Sequence, residues 1–248
     1  MKEKLLALFK ENSDNYLSGE QLSQMLGVTR AFVWKLVRAL EQDGYSFDAK
    51  PRKGYRLSGN PDILTEAELS PLLHTKHLAK RIVYYPEITS TNTAARKLAE
   101  QGEPSGTVVT ASSQTNGKAR KHGKWVSETN SAVMLSLIFR PDFPPEQTGK
   151  FAQTISHAVC AALENIVSSP CKIGTDGGIL LNGQKICGIL VEFSGESDCI
   201  DYLIIGIGVN TETQSVPSIL QLTNVHYSKL EVAAAVIHAI DEVIASFD

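Results

Sequence analysis

The sequence predicts an α+β protein in two parts: a small, mostly helical, basic head, and a larger body in which strands and helices share one sheet. Three observations predict it. First, 248 residues at 42% hydrophobic content give one or two folded units at about 150 residues per domain. Second, residues 1–57 carry ten Lys/Arg against seven Asp/Glu, a local +3, while the remainder carries fourteen against twenty, a local −6. A basic head on an acidic body implies two different partners. Third, residues 3–42 read as helices, whereas from residue 82 onward short apolar strands alternate with helical stretches. Ser58-Gly-Asn-Pro-Asp62 has the turn composition of a linker, which sets the domains at 1–60 and 61–248.

The same figures exclude other classes. No apolar run approaches the ~18–20 residues of a membrane span, and the mixed-charge N-terminus carries no cleavable signal. A cytoplasmic protein without membrane partners is expected. Cys160, Cys171, Cys187 and Cys199 contain no Cys-x-x-Cys pair, which fits reduced, mostly buried thiols. The six histidines, at 74, 77, 122, 157, 226 and 238, form no i,i+4 pair, so no metal site is expected.

In the head, residues 3–11 form a helix with Leu5, Leu6, Leu8 and Phe9 as its apolar stripe. A second helix starts at Ser18, where Ser18 and Gln21 make a capping-box pattern. Gly27 breaks it. Thr29 then caps a third helix to about Gln42, which buries Val33, Leu36, Val37 and Leu40. Short strands at Tyr45-Ser-Phe47 and Gly54-Tyr-Arg-Leu57 flank the basic tip Lys50-Pro-Arg-Lys53. Helix, sharp turn, helix and basic hairpin is the plan of a winged helix-turn-helix. Its third helix presents Thr29, Arg30, Lys35 and Arg38 to a major groove, and Lys50, Arg52 and Lys53 of the wing suit phosphates. Three-helix units also dock proteins. Here the cations sit on the two elements this geometry lays against DNA, so DNA is the preferred partner. A charge of only +3 makes one head bind weakly, and a homodimer on a two-part operator is expected.

In the body, Ile82-Val-Tyr-Tyr85 is a strand, followed by Ile88-Thr-Ser-Thr-Asn92 and a helix over about 93–101. Thr107-Val-Val-Thr-Ala111 is a strand running into a basic loop that ends at Trp125. Val133-Met-Leu-Ser-Leu-Ile-Phe139 is a nearly continuous apolar strand. A helix over about 147–166, strands at 179–181, 185–192 and 202–210, and an amphipathic helix over about 229–247 complete the pattern. Read singly, its motifs are ordinary. Ser90-Thr-Asn92 is a helix cap, Trp125 a packing residue, and Lys185 a hairpin lysine beside the Asn182-Gly183 turn. Gly206-x-Gly lacks the third glycine and following helix of a dinucleotide loop.

Together and in order, they resemble the biotin protein ligase family, specifically its bifunctional BirA-type members that double as the biotin operon repressor. The resemblance rests on the head, Ser90-Thr-Asn92, Gln114-Thr-x-Gly117 with basic residues ending in Trp125, Asn182-Gly-Gln-Lys185-Ile-Cys-Gly188-Ile-Leu-Val-Glu192, and Gly206-Ile-Gly-Val-Asn210. It implies a seven-stranded mixed sheet with helices on one face. It also implies ATP-dependent, Mg-assisted chemistry: biotin's carboxylate attacks the α-phosphate of ATP, and a lysine of a biotin carboxyl carrier protein takes biotin from the adenylate. By the resemblance, Thr91 and Gln114 bond biotin's ureido end, and Ser90 and Asn92 order that loop. Gly117, Lys118 and Arg120 belong to a mobile loop over the adenylate, and Trp125 stacks near the adenine. Lys185 touches both biotin carboxylate and α-phosphate, and Gly188 and Asn210 line the biotin and ribose sides. Lys185 and Arg120 are the catalytic candidates, because joining two anions requires neutralising cations.

The sequence also departs from the family. Its loop reads Gly117-Lys-Ala-Arg-Lys-His-Gly-Lys-Trp125, with Ala119 at a glycine position and Gly123 at a common cation position. The family's Lys-Trp-Pro-Asn-Asp segment corresponds to Gly174-Thr-Asp-Gly-Gly178 without a gap. With a two-residue insertion it corresponds to Lys172-Ile-Gly-Thr-Asp176. Either way a stiff segment becomes Gly-rich, which raises the entropic cost of ordering the pocket. The chain ends at Asp248, before the small C-terminal β-barrel usual in the family. These departures favour a DNA-binding regulator that senses biotin, biotinyl-adenylate or a related small acid over an active bifunctional ligase and repressor. A third reading makes the head a protein-interaction module.

Overall fold

The chain divides into two compact units, Met1–Asp62 and Ile63–Asp248. The computed structural model describes residues 1–59, 61–120, 123–196 and 198–247. The linker's Asn60, the basic loop's Lys121 and His122, and the terminal Asp248 lie outside the described residues.

In the first unit, α1 (Lys2–Glu11) buries Leu5, Leu6 and Phe9. At α2 (Gly19–Leu26) the capping box is complete: Ser18 Oγ accepts from Gln21 N–H, and Gln21 Oε1 accepts from Ser18 N–H at 2.8 Å. Gly27 ends the helix at φ +64°, a conformation that costs glycine nothing. Thr29 caps α3 (Arg30–Gln42), its Oγ1 accepting from Phe32 N–H, and α3 buries Val33, Leu36, Val37 and Leu40. The wing pairs β1 (Ser46–Lys50) with β2 (Gly54–Gly59). Both strands run past their expected ends. Lys50 therefore lies in strand β1, and the tip is the turn 51–53. Leu17 and Tyr55 exchange two backbone hydrogen bonds at 2.8 and 2.9 Å. A methyl on Gly54 would come within 2.1 Å of Leu17 O, so only glycine lets the wing's base approach this closely.

The second unit is built on a seven-stranded sheet: β3 (Arg81–Tyr85), β4 (Thr107–Ala111), β7 (Ala132–Phe139), β11 (Ile200–Asn210), β10 (Gln184–Gly195), β9 (Ile179–Leu181) and β8 (Cys171–Ile173), in that spatial order. Only β3 and β4 run parallel, so the sheet is mixed, as the family resemblance implied. Two short strands, β5 (Gly117–Lys118) and β6 (Lys124–Trp125), form a separate hairpin.

Strand alternation assigns the faces. Leu135, Leu137, Phe139, Leu203, Ile205 and Ile207 share a core with α6 (Thr148–Val167) and α8 (Lys229–Ala245). Phe139, Phe143, Phe151 and Phe247 pack there with ring centroids 5.1–6.4 Å apart. The alternate residues Ile138, Tyr202 and Ile204 pack instead with Ala95 and Ala99 of α5 (Thr91–Glu100). The two long helices thus cover one face, and α5 covers part of the other. Covered on both sides, β7 is buried along its whole length, the physical reason it reads as an unbroken apolar run. Two short helices, α4 (Glu66–Leu69) and α7 (Ile219–Thr223), complete the unit. Among the described residues, no helix is long and apolar enough to cross a membrane.

Candidate functional site

The uncovered part of the second unit's sheet, beside α5, carries a cavity of about 50 Å³. Its floor is shaped by glycines. Gly188 of β10 and Gly208 of β11 face each other in register, and the indole of Trp125 lies across both. A methyl on Gly208 would stand 2.4 Å from Trp125 Cε2, and one on Gly188 2.8 Å from Cζ3. Side chains at either position would therefore expel the ring. The indole Nε1 is buried without a hydrogen-bond partner.

One wall comes from the start of α5. The helix begins at Thr91, two residues earlier than expected, with Ser90 at its N-cap making no side-chain capping bond. Gln114 Oε1 accepts from Thr91 N–H at 2.7 Å and lies 3.1 Å from Thr91 Oγ1. Ser136, wholly buried in β7, places its hydroxyl 2.8 Å from Thr91 Oγ1 and 2.6 Å from Asn92 Oδ1. Asn92 Nδ2 donates to Glu192 at 2.8 Å, and Arg96 donates to the other oxygen of that carboxylate at 2.5 Å. A methyl on Gly206 would come within 2.0 Å of Asn92 Oδ1. The network leaves Gln114's amide group available for the cavity while its oxygen is held.

The opposite wall is cationic. Lys185 Nζ donates to Asp176 at 2.5 Å. The Lys185 ammonium and then the Gly178 N–H hold the Asp176 carboxyl below the usual carboxylate range. Arg120 donates from Nη1 to Asp176 O at 2.7 Å and from Nε to Ile189 O at 3.0 Å. The Gly-rich segment is a pinned turn, with Gly177 N–H on Gly174 O at 2.9 Å and Gly174 N–H on Gly178 O at 2.8 Å. Its glycines make room for the two cations. A methyl on Gly177 would meet Arg120 Nη1 at 2.8 Å, and one on Gly178 would meet Lys185 Cε at 2.6 Å. The expected entropic penalty is thus offset by fixed contacts. Of the two alignments, the structure puts Asp176, not Gly178, in contact with Lys185 through its carboxylate. Cys187 lies on the far side of β10, where burial pushes its thiol well above the ordinary range.

Of the residues singled out in the sequence, Ser90, Thr91, Asn92, Gln114, Lys118, Arg120, Trp125, Lys185 and Gly188 line this cavity. Gly117 does not; it pairs with Trp125 in the hairpin and packs against Gln114. Nor does Asn210, which turns its amide to Pro217 O at 3.2 Å. Sequence reading missed Ser136, Glu192 and Arg96 as supports and Asp176 as the partner of Lys185. A lone serine inside an apolar strand was the available signal for the first. Among the described residues, no cluster of His, Cys, Asp and Glu could hold a metal ion.

In the first unit, a groove of about 600 Å³ between α3 and the wing is lined by Arg30, Lys50 and Arg52, with Ser18, Gly19 and Tyr55. Lys35, Arg38 and Lys53 are exposed but lie off this groove, and Thr29's hydroxyl is spent on its cap. Arg38 is bonded to Glu41 at 2.8 Å and stacks 5.5 Å from the centroid of Trp34. Lys50 and Arg56 both stack on Tyr16, at 4.9 and 5.1 Å, beside Asp48.

Comparison with known proteins follows the same division. Residues 2–56 match the model of an HTH domain, and residues 84–210 match that of the biotin/lipoate A/B protein ligase family. A bifunctional ligase/repressor from Bacillus subtilis is 36% identical over 86% of this chain, and its counterpart from Escherichia coli is 28% identical over 86%. The chain spans 66% and 64% of their lengths. Among solved structures, a biotin protein ligase from Aquifex aeolicus in complex with biotin and ATP superposes with a TM-score of 0.59 at 26% identity. That match covers 68% of this chain and 72% of that one. A Leishmania major ligase, at 19% identity and a TM-score of 0.57, shares the fold.

Proposed function

Because the chain belongs to the biotin/lipoate A/B protein ligase family and carries an HTH domain at its head, we propose that it is a DNA-binding transcriptional regulator of the BirA type. Its ligase-like domain senses biotin or biotinyl-adenylate. The observation that carries this reading is the convergence of Thr91, Gln114, Trp125, Lys185 and Arg120 on one glycine-floored cavity. Gln114, its oxygen held by Thr91, offers amide hydrogens to a ureido carbonyl. Lys185 and Arg120 neutralise an acid, and the Trp125 indole seated on the glycine floor offers a face to an apolar body. The head contacts operator DNA through α3 and the wing. The working form is a homodimer in the cytoplasm, with ligand binding shifting the monomer–dimer balance.

A second reading, an active ligase that also represses, is favoured by one specific observation: both candidate catalytic cations already face the cavity. In that reading Lys185 and Arg120 neutralise the charge that develops as a carboxylate attacks the α-phosphate of MgATP and displaces pyrophosphate, and a lysine amine of a biotin carboxyl carrier protein then takes biotin from the adenylate as AMP leaves.

One experiment separates the two. The chain is incubated with biotin, MgATP and a carrier domain, with Lys185→Ala as control, while biotin binding is followed by calorimetry. Biotin binding without carrier labelling fits the sensor. Labelling that vanishes in Lys185→Ala establishes the ligase. Absence of biotin binding removes both.

A further inference from the structure

The basic head keeps an aromatic side chain on a face that its own core does not use. Along α3, Val33, Leu36, Val37 and Leu40 are buried, so the helix already has its intramolecular partner. Its other face carries Ala31, Trp34, Lys35 and Arg38, spaced i, i+3, i+4 and i+7 and all exposed. Trp34 is 50% exposed. A lone exposed apolar residue is ordinary, but this one is the largest side chain a protein has, set on a cationic helix. Arg30, Lys35 and Arg38 share α3 with it, and Glu41, the one acidic residue of the helix, is committed to Arg38.

The ring is also held in place. The Arg38 guanidinium lies 5.5 Å from the indole centroid, and its bond to Glu41 at 2.8 Å fixes it from beyond. An aromatic held in one pose loses little conformational entropy when a partner covers it. Trp34 is the fifth residue of α3, within the N-terminal half that a recognition helix turns to base edges.

We propose that Trp34 is a specificity-determining residue that reads thymine by its C5 methyl in the major groove, an inference that rests on the DNA-binding reading and adds a base feature that the head selects. The groove's own chemistry points to the methyl. Guanine, adenine and cytosine present donors and acceptors there, and the thymine methyl is the one apolar group. An indole laid on that methyl removes apolar area from water on both partners. Laid on a cytosine amino group, it strips a donor of water and returns no hydrogen bond. Arg30 and Lys35 supply attraction to the phosphates whatever the sequence, so the ring selects and the cations attract.

The test uses the full chain with biotin and MgATP present and a duplex that it selects from a random pool. Thymines are replaced one at a time by deoxyuridine, which deletes the methyl and keeps every donor and acceptor, and affinity is read by fluorescence anisotropy. The parent should lose about fourfold at one or more thymines, the value of one buried methyl. Trp34→Ala should bind the selected duplex several-fold more weakly, with its salt slope unchanged because no charge is removed, and should be indifferent to those same methyls. A parent chain indifferent to every methyl overturns the proposal. So does a Trp34→Ala chain that responds to them as strongly as the parent, which leaves DNA binding intact with a different contact. If Trp34→Ala does not fold, Trp34→Phe takes its place: its smaller ring should blunt the response, and a full response overturns the proposal. Failure of the parent to enrich or bind any duplex would sink the DNA-binding reading itself, and the thymine contact with it.

Discussion

Ser136→Ala tests whether the wall of the site is held from beneath. Three contacts meet there, Ser136 to Asn92, Ser136 to Thr91 and Thr91 to Gln114, at 2.6, 2.8 and 3.1 Å. Only two hydroxyl hydrogens serve them. Asn92 Oδ1 can only accept, so the Ser136 hydrogen belongs to it, and the Thr91 hydrogen is divided between Ser136 and Gln114. Alanine removes the donor and leaves Asn92 Oδ1 buried without it. Leaving a buried acceptor unpaired costs about 1–3 kcal/mol. At this size that lowers Tm by roughly 2–4 °C per kcal/mol. Ser136 itself does not line the cavity, so any change in biotin affinity must pass through Thr91 and Gln114. Urea unfolding of both chains and calorimetry with biotin measure the two effects. A stability within about 0.5 kcal/mol of the parent, together with unchanged biotin affinity, would refute the claim that Ser136 supports the site.

Gly177→Ala forces a side chain into a φ of +75° and against Arg120, so it should destabilise by on the order of 1–2 kcal/mol, read by thermal unfolding, and more mildly in an Arg120→Ala background. Glu128 accepts backbone hydrogen bonds from Gln214 and Ser215 at 2.9 and 3.0 Å. Hydrogen bonds from Ser215 and then Gln214 lower its pKa to about 2. Its folded value lies below the unfolded one of about 4.3, so its contribution is complete above that pH and fades as pH falls toward 2. Glu128→Gln should therefore flatten the acid limb of the stability profile, and an unchanged limb would contradict this. Arg52→Ala and Lys53→Ala should weaken DNA binding almost equally for every sequence and each lower the salt slope by about 1, measured by anisotropy from low to high salt; a loss confined to one sequence would mean base contact instead.

Much of this was legible before any coordinates. The stripe of Val33, Leu36, Val37 and Leu40 and the caps Ser18 and Thr29 are local signals, and local hydrogen bonds realise them. The run 133–139 read as a nearly continuous apolar strand, but neither its cover on both faces nor α5 as the second cover was legible, because periodicity says nothing about where a helix docks. Strand β8 escaped notice because three residues between Pro170 and Gly174 carry no period. The site was half legible. Motif order found the residues that line it, but not what they touch. Asp176 meets Lys185 only once β9 and β10 pair, and Asn210, at the end of its strand, turns to Pro217 through a loop the sequence leaves open. The Gly-rich segment read as loose because its glycines show their purpose only when Arg120 and Lys185 are laid against them.

On the proposed reading, a small acid in the glycine-floored cavity governs how the basic head holds DNA. A duplex selected by the full chain from a random pool, titrated by fluorescence anisotropy alone, with biotin, and with biotin plus MgATP, tests it directly. At least one ligand condition should tighten binding several-fold, and the gain should disappear in Lys185→Ala. Identical affinity in all three conditions, in a chain that calorimetry shows to be saturated with biotin, would contradict it.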